Sequence, residues 1–151
     1  MKRMMFLLLV VCAAGLTSCR KDIVVSQFVT IPSGEWAIDE VAPFDFTVAD
    51  ADADYRILVY VRHTEVYPYQ NMWLFVHNGG QHDTIEFYLA DDRGRWLGEH
   101  HHGFIEMPVL FEDHYQFADS GRYHLEIRHA MRDSVLRGVT DIGLEIVKNE
   151  Q

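Results

Sequence analysis

Tyr123-His124-Leu125-Glu126-Ile127-Arg128 decides the fold class. Tyr, Leu and Ile alternate with His, Glu and Arg. In an extended chain successive side chains point to opposite faces, so this hexapeptide has one apolar and one polar face. The pattern recurs through the chain. Ile85, Phe87 and Leu89 alternate with Glu86 and Tyr88, Ile142, Leu144 and Ile146 with Gly143 and Glu145, and Phe44, Phe46 and Val48 with Asp45 and Thr47. Each is the signature of a half-buried strand.

Two further runs, Ile57–Val61 and Met72–Val76, are apolar almost throughout, which predicts strands covered on both faces in the middle of a sheet. Turn residues punctuate the runs at Pro32-Ser33-Gly34, Tyr67-Pro68, Asn78-Gly79-Gly80, Arg93-Gly94 and Asp119-Ser120-Gly121. Six to eight strands at this spacing predict an all-β fold, an antiparallel β-sandwich of immunoglobulin-like or jelly-roll topology. The turn at 119–121 followed by Tyr123 is similar to the tyrosine corner of such sandwiches, where the ring packs inside and the hydroxyl satisfies backbone nearby. A short helix is allowed between Met131 and Leu136.

The chain opens differently. Lys2 and Arg3 precede an apolar run from Met4 to Leu16 that rises only about 20 Å as a helix, too short for a bilayer core. A charged start with a short apolar core reads as a secretory signal. It ends in Leu16-Thr17-Ser18-Cys19, which resembles a bacterial lipobox, whose cysteine is acylated and becomes the first residue after cleavage. The other cysteine, Cys12, falls inside the leader, so acylation accounts for the thiol that would otherwise stand alone in an exported protein. The expected organisation is a lipoprotein signal peptide over 1–18, a lipidated anchor and lead-in over 19–30, and one sandwich domain over 31–148.

Charge narrows the function. Loss of Lys2 and Arg3 takes the 13 basic residues to 11 against 23 acids. A nucleic-acid partner calls for the opposite balance, so that class is set aside. The apolar fraction of 48% is that of a packed domain rather than a disordered tail. Asp50, Asp52 and Asp54 look like half a calcium loop, but the sixth and twelfth positions are Tyr55 and Val61 where glycine and a bidentate acid are required. A solvated acidic turn is the better reading. His100-His101-His102, with Glu99, Glu106 and His114 nearby, invites a metal; consecutive residues on extended chain point to alternate sides, so a polar loop is expected instead. Four serines follow the leader, none in a nucleophile elbow, and the acid pairs Asp91-Asp92 and Glu112-Asp113 fit turns. The expectation is a protein without catalytic residues, metal or cofactor.

Binding has better candidates. Gly94-Arg95-Trp96-Leu97-Gly98 sets an Arg and a Trp between two glycines, the composition of a shaped loop. Trp96 is suited to plug one end of the sandwich, to stack on a sugar or to anchor a protein partner. Tyr67, Tyr69 and Trp73 raise the same choice. Arginine outnumbers lysine nine to two after the leader, favouring bidentate pairing, and Arg95, Arg128, Arg132 and Arg137 stand out. The interaction candidates are Tyr67, Tyr69, Arg95, Trp96 and Arg132.

Several of these residues carry a likeness. Cys19, Tyr67-Pro68-Tyr69, Asn71 and Trp73-Leu74-Phe75 resemble the GldH-type gliding-motility lipoproteins of Bacteroidetes. The likeness continues in order through Asp83-Thr84, Leu89-Ala90-Asp91, Gly94-Arg95-Trp96-Leu97-Gly98, Gly121, Tyr123, Met131-Arg132, Leu136, Gly138-Val139 and Asp141-Ile142-Gly143. It implies an outer-membrane lipoprotein of the gliding and type IX secretion machinery that acts by protein–protein binding, with no catalytic residues to transfer. Arg20, Lys21 and Asp22 after the anchor form no acidic run, which favours the periplasmic face. The competing expectation is a carbohydrate-binding lipoprotein of a polysaccharide-uptake system, with Trp96 and the tyrosines as stacking platforms.

Overall fold

A computed structural model describes residues 22 to 150; the leader and Cys19 lie outside the described residues. Eleven strands form in chain order: β1 (Asp22–Thr30), β2 (Glu35–Ala37), β3 (Ala42–Val48), β4 (Tyr55–His63), β5 (Asn71–Asn78), β6 (Gln81–Tyr88), β7 (Glu99–His100), β8 (Ile105–Tyr115), β9 (Gly121–His129), β10 (Val135–Arg137) and β11 (Val139–Lys148). A five-stranded sheet runs β1-β11-β4-β8-β7 and a four-stranded sheet β3-β9-β5-β6, with β10 and β2 as a small clasp. Every strand pair within them is antiparallel. No described helix is long and apolar enough to cross a membrane.

The strand order settles the topology that the sequence leaves open. Leaving out short β2, β7 and β10, the long strands in chain order lie first-eighth-third-sixth in one sheet and second-seventh-fourth-fifth in the other. First pairs with eighth, third with sixth, second with seventh and fourth with fifth, which is a jelly roll. The 22–30 stretch, a lead-in on sequence grounds, forms edge strand β1 and pairs with β11 over its length.

Alternation builds the core. Ala42, Phe44, Phe46 and Val48 of β3 point inward, as do Ile57, Val59 and Val61 of β4, Met72, Leu74 and Val76 of β5, and Ile142, Leu144 and Ile146 of β11. Trp36 closes one end, fully buried, its indole N–H donating to the Glu40 carbonyl at 2.9 Å. At the other end Phe46, Tyr55, Tyr115, Phe117 and Tyr123 pack edge to face and stacked. There the Tyr123 hydroxyl donates to the Asp119 carbonyl at 2.7 Å and accepts from the Asp119 N–H at 3.2 Å, a tyrosine corner in form.

Two local expectations are corrected. Residues 131–136 form no helix, because Val135–Arg137 pairs with β2 instead. The apolar runs of β4 and β5 do lie inside their sheets, but only one face of each is buried. Among the described residues no layer covers the outer side, so Trp73 and Phe75 face solvent.

Candidate functional site

The outward residues of β5 and its neighbour β6 form an exposed apolar strip on the four-stranded sheet. Trp73 is 38% exposed, Phe75 40% and Tyr88 59%. Strand register explains the grouping: Trp73 lies opposite Glu86 and Phe75 lies between Thr84 and Arg128, while Tyr88 lies opposite Asn71. Arg128 places its guanidinium 5.3 Å from the Phe75 ring. The strip is apolar at its centre and polar at its margins, as interaction surfaces are.

At one end the strip opens into a groove of about 440 Å³ lined by Tyr69, Asn71, Trp73, Met131, Arg132 and Asp133. The chain leaving β9 forms its wall. The Ala130 N–H donates to the Trp73 carbonyl at 2.8 Å, and the Trp73 N–H donates to the Met131 sulfur at 3.3 Å. The Tyr69 hydroxyl donates to Asp133 Oδ2 at 2.8 Å, which raises the phenol's pKa. Asn71 is fixed from the other side by its 2.7 Å bond to Glu86 Oε1. Arg132 is exposed and forms no ion pair among the described residues. The groove thus offers a flat indole, a soft thioether and a cation, a combination that suits a protein side chain or a planar ligand.

The candidates from sequence divide. Tyr69 and Arg132 meet in this groove. Tyr67 does not, since it is 3% exposed and its hydroxyl donates to the Asn71 carbonyl at 2.7 Å. Burial pushes that phenol's pKa well up, as expected of a core tyrosine. Trp96 packs edge-on against buried His63 at 4.7 Å and against Tyr67 at 6.4 Å, so most of its ring is committed to the fold. Arg95 remains exposed and pairs with Asp91 at 2.8 Å, while the other Asp91 oxygen accepts the N–H groups of Arg93 and Arg95 at 2.9 Å. Those bonds, led by the Arg95 N–H, hold the Asp91 carboxyl below the usual range. The loop is a self-closed turn. Gly98 is required there: a Cβ would collide with the Glu106 carbonyl, and its φ is +84°.

The acidic turn, His114 and His101 are also engaged internally. Asp50 takes the Lys148 ammonium at 2.7 Å, and Asp54 bonds His114 and the Asn149 amide. His101 stacks on Phe104, and its N–H donates to the Phe104 carbonyl at 2.9 Å. Sequence reasoning missed Phe75, Tyr88 and Met131. Only the apolar alternation Met72–Val76, read as one-sided rather than two-sided, could have shown Phe75.

The sequence model of the GldH lipoprotein family matches residues 23–146, most of the chain. The chain belongs to that family. Gliding motility lipoprotein GldH of Flavobacterium johnsoniae is 28% identical over 95% of this chain and 96% of its own length. A GldH homolog of Christiangramia forsetii is 28% identical over 89% of both chains. Among solved structures, dimeric latent PorU of Porphyromonas gingivalis overlaps 88% of this GldH-family chain and 14% of its own, at 7% identity and a TM-score of 0.41, too loose a likeness to bear on function.

Proposed function

We propose that this GldH-family protein is a lipid-anchored, non-catalytic part of the gliding-motility and type IX secretion-associated machinery. Cys19 carries the acyl chains that hold it to the outer membrane on the periplasmic side. It works by binding envelope proteins through the outer face of the four-stranded sheet, with the Trp73 groove, Tyr69 and Arg132 as the contact centre. One observation carries the binding role: Trp73, Phe75 and Tyr88 are exposed together on a single sheet face that no other described residues cover.

The test is in-cell crosslinking from a photoreactive residue at position 73 in the native host, followed by mass spectrometry. Recovery of other gliding or secretion components, lost when Arg132 is changed to Glu, is the expected result. Recovery of glycan-uptake proteins, or of nothing beyond a crosslinker placed at Leu110 on the opposite face, sinks the proposal. Separately, Cys19→Ala should release the domain from membranes; a variant that still fractionates with them overturns the anchor.

A further inference from the structure

We infer that the anchor fixes which end of the domain meets the bilayer. The inference rests on the lipidation of Cys19 proposed above. Asp22, the first residue of β1, lies three residues past Cys19, a separation of at most about 11 Å even fully extended. So short a connection cannot let a domain tumble freely, and the Asp22 end of the sandwich is held at the headgroups.

Register identifies what shares that end. Asp22 lies opposite Lys148, Lys148 opposite Tyr55 and Tyr55 opposite Tyr115. Side-chain bonds from Lys148 to Asp50 and from His114 to Asp54 draw the 49–54 turn and the end of β8 to the same level. Ile23 and Val24, both exposed, are the first apolar side chains beyond the anchor. The surrounding acids Asp50, Asp52, Asp54 and Asp113 are costly to bury in hydrocarbon, so this end rests on headgroups and does not insert.

The groove lies at the opposite end. β1 runs away from the anchor to Thr30, which pairs with Asp141, and the strand after it begins the end where His63, Trp96 and Tyr67 pack. β5 spans from Asn78, beside the anchor end, to Asn71 in the groove, a rise of about 25 Å. The groove and the 90–98 loop therefore stand clear of the membrane, and the partner that fits them is a water-exposed protein domain rather than a membrane-embedded segment.

The chain offers a clean probe. Cys12 leaves with the leader and an acylated Cys19 has no free thiol, so one introduced cysteine is the only one that labels. Lipidated protein bearing a donor dye at Asp52→Cys or at Arg93→Cys is reconstituted into phosphatidylethanolamine/phosphatidylglycerol vesicles with acceptor-labelled headgroups. With ends about 25 Å apart, transfer from position 52 should exceed that from position 93 by roughly threefold. Equal transfer, or the reverse order, in protein that floats with the vesicles overturns the orientation alone. Protein that fails to float with them overturns the anchor and the orientation together.

Discussion

The two outer faces of the sandwich use similar residues to opposite ends. On the five-stranded sheet, Phe28 covers Gly143 and leans on Tyr60, with ring centroids 5.8 Å apart. Arg62 lies 3.7 Å from the Phe28 ring and 5.0 Å from that of Phe104 while donating to Glu106 at 2.6 Å. Arg56 pairs with Asp113 at 3.1 Å. On the four-stranded sheet Phe75 has only Arg128, 5.3 Å from its ring, and Trp73 and Tyr88 have no aromatic or cationic partner among the described residues. One face spends its aromatic and cationic groups on itself; the other leaves them presented. The difference teaches that exposure of an aromatic residue signals binding only where the neighbouring strands have not already supplied its partner.

Gly143→Val should disturb the self-satisfied face most. A Cβ at that position would sit 2.5 Å from the Phe28 ring, so the ring must leave its place against Tyr60 and Arg62, at a cost of about 2 kcal/mol in lost ring and cation–π contacts. Urea unfolding should show a lower midpoint at unchanged slope, and Phe28→Ala in the same chain should restore part of the loss. An unaltered midpoint would mean that Phe28 does not cover this glycine. Arg62→Ala removes both a half-buried ion pair and a cation–π contact, with an expected cost of about 1.5 kcal/mol. A cost below that of Arg137→Ala, whose pair with Glu35 is looser and more exposed, would mean that the five-stranded face gains nothing from pairing its own groups.

Beneath the faces, each sheet buries one histidine at the same end, His63 on β4 and His129 on β9. Each donates from one ring nitrogen to a backbone carbonyl, His63 to Thr64 and His129 to Trp36, and the other nitrogen has no partner among the described residues. Burial lowers both pKa values. The unfolded chain therefore takes up these protons first, so their contribution is complete above pH about 6.5 and is lost as pH falls through the folded values. His114 and His124 have the opposite sign: the hydrogen bonds their rings donate to Asp54 and Asp45 raise them, and their contribution fades as pH rises past 6.5. Thermal unfolding from pH 8 to 5 should show declining stability on the acid side, with a shallower decline in His63→Phe. An identical slope in that variant would exclude His63 as the group involved.

Trp73→Thr and Phe75→Thr should do least to stability, within about 0.5 kcal/mol, because they are surface strand positions replaced by a strand-favouring residue. Partner crosslinking should nevertheless fall sharply. Loss of folding in either variant would place this face with the structural one.

Much of this was legible in the chain. Alternation at 123–128, 85–89, 142–146 and 44–48 specifies strands because a pleated backbone has a period of two. Turn chemistry at 78–80 and 119–121 marks where they reverse. The site was legible only in part. Tyr69 and Arg132 lie 63 positions apart, and nothing local says that they share a groove. Tyr67 and Tyr69 look alike in sequence and would share a face on a strand, yet one is core and the other rim, because 64–70 is turn and loop, where no period of two sets direction and one hydroxyl bonds the Asn71 carbonyl while the other reaches Asp133.

By itself the sequence determined an all-β domain with an acidic surface, and it carried the family likeness in the order of its motifs, because these follow from composition and local period. Tertiary structure decided the jelly-roll order, the place of 22–30 within the sheet, and which apolar runs stay uncovered. Those depend on pairings between residues up to 126 positions apart, as Asp22 with Lys148, and such contacts are made by the whole chain at once.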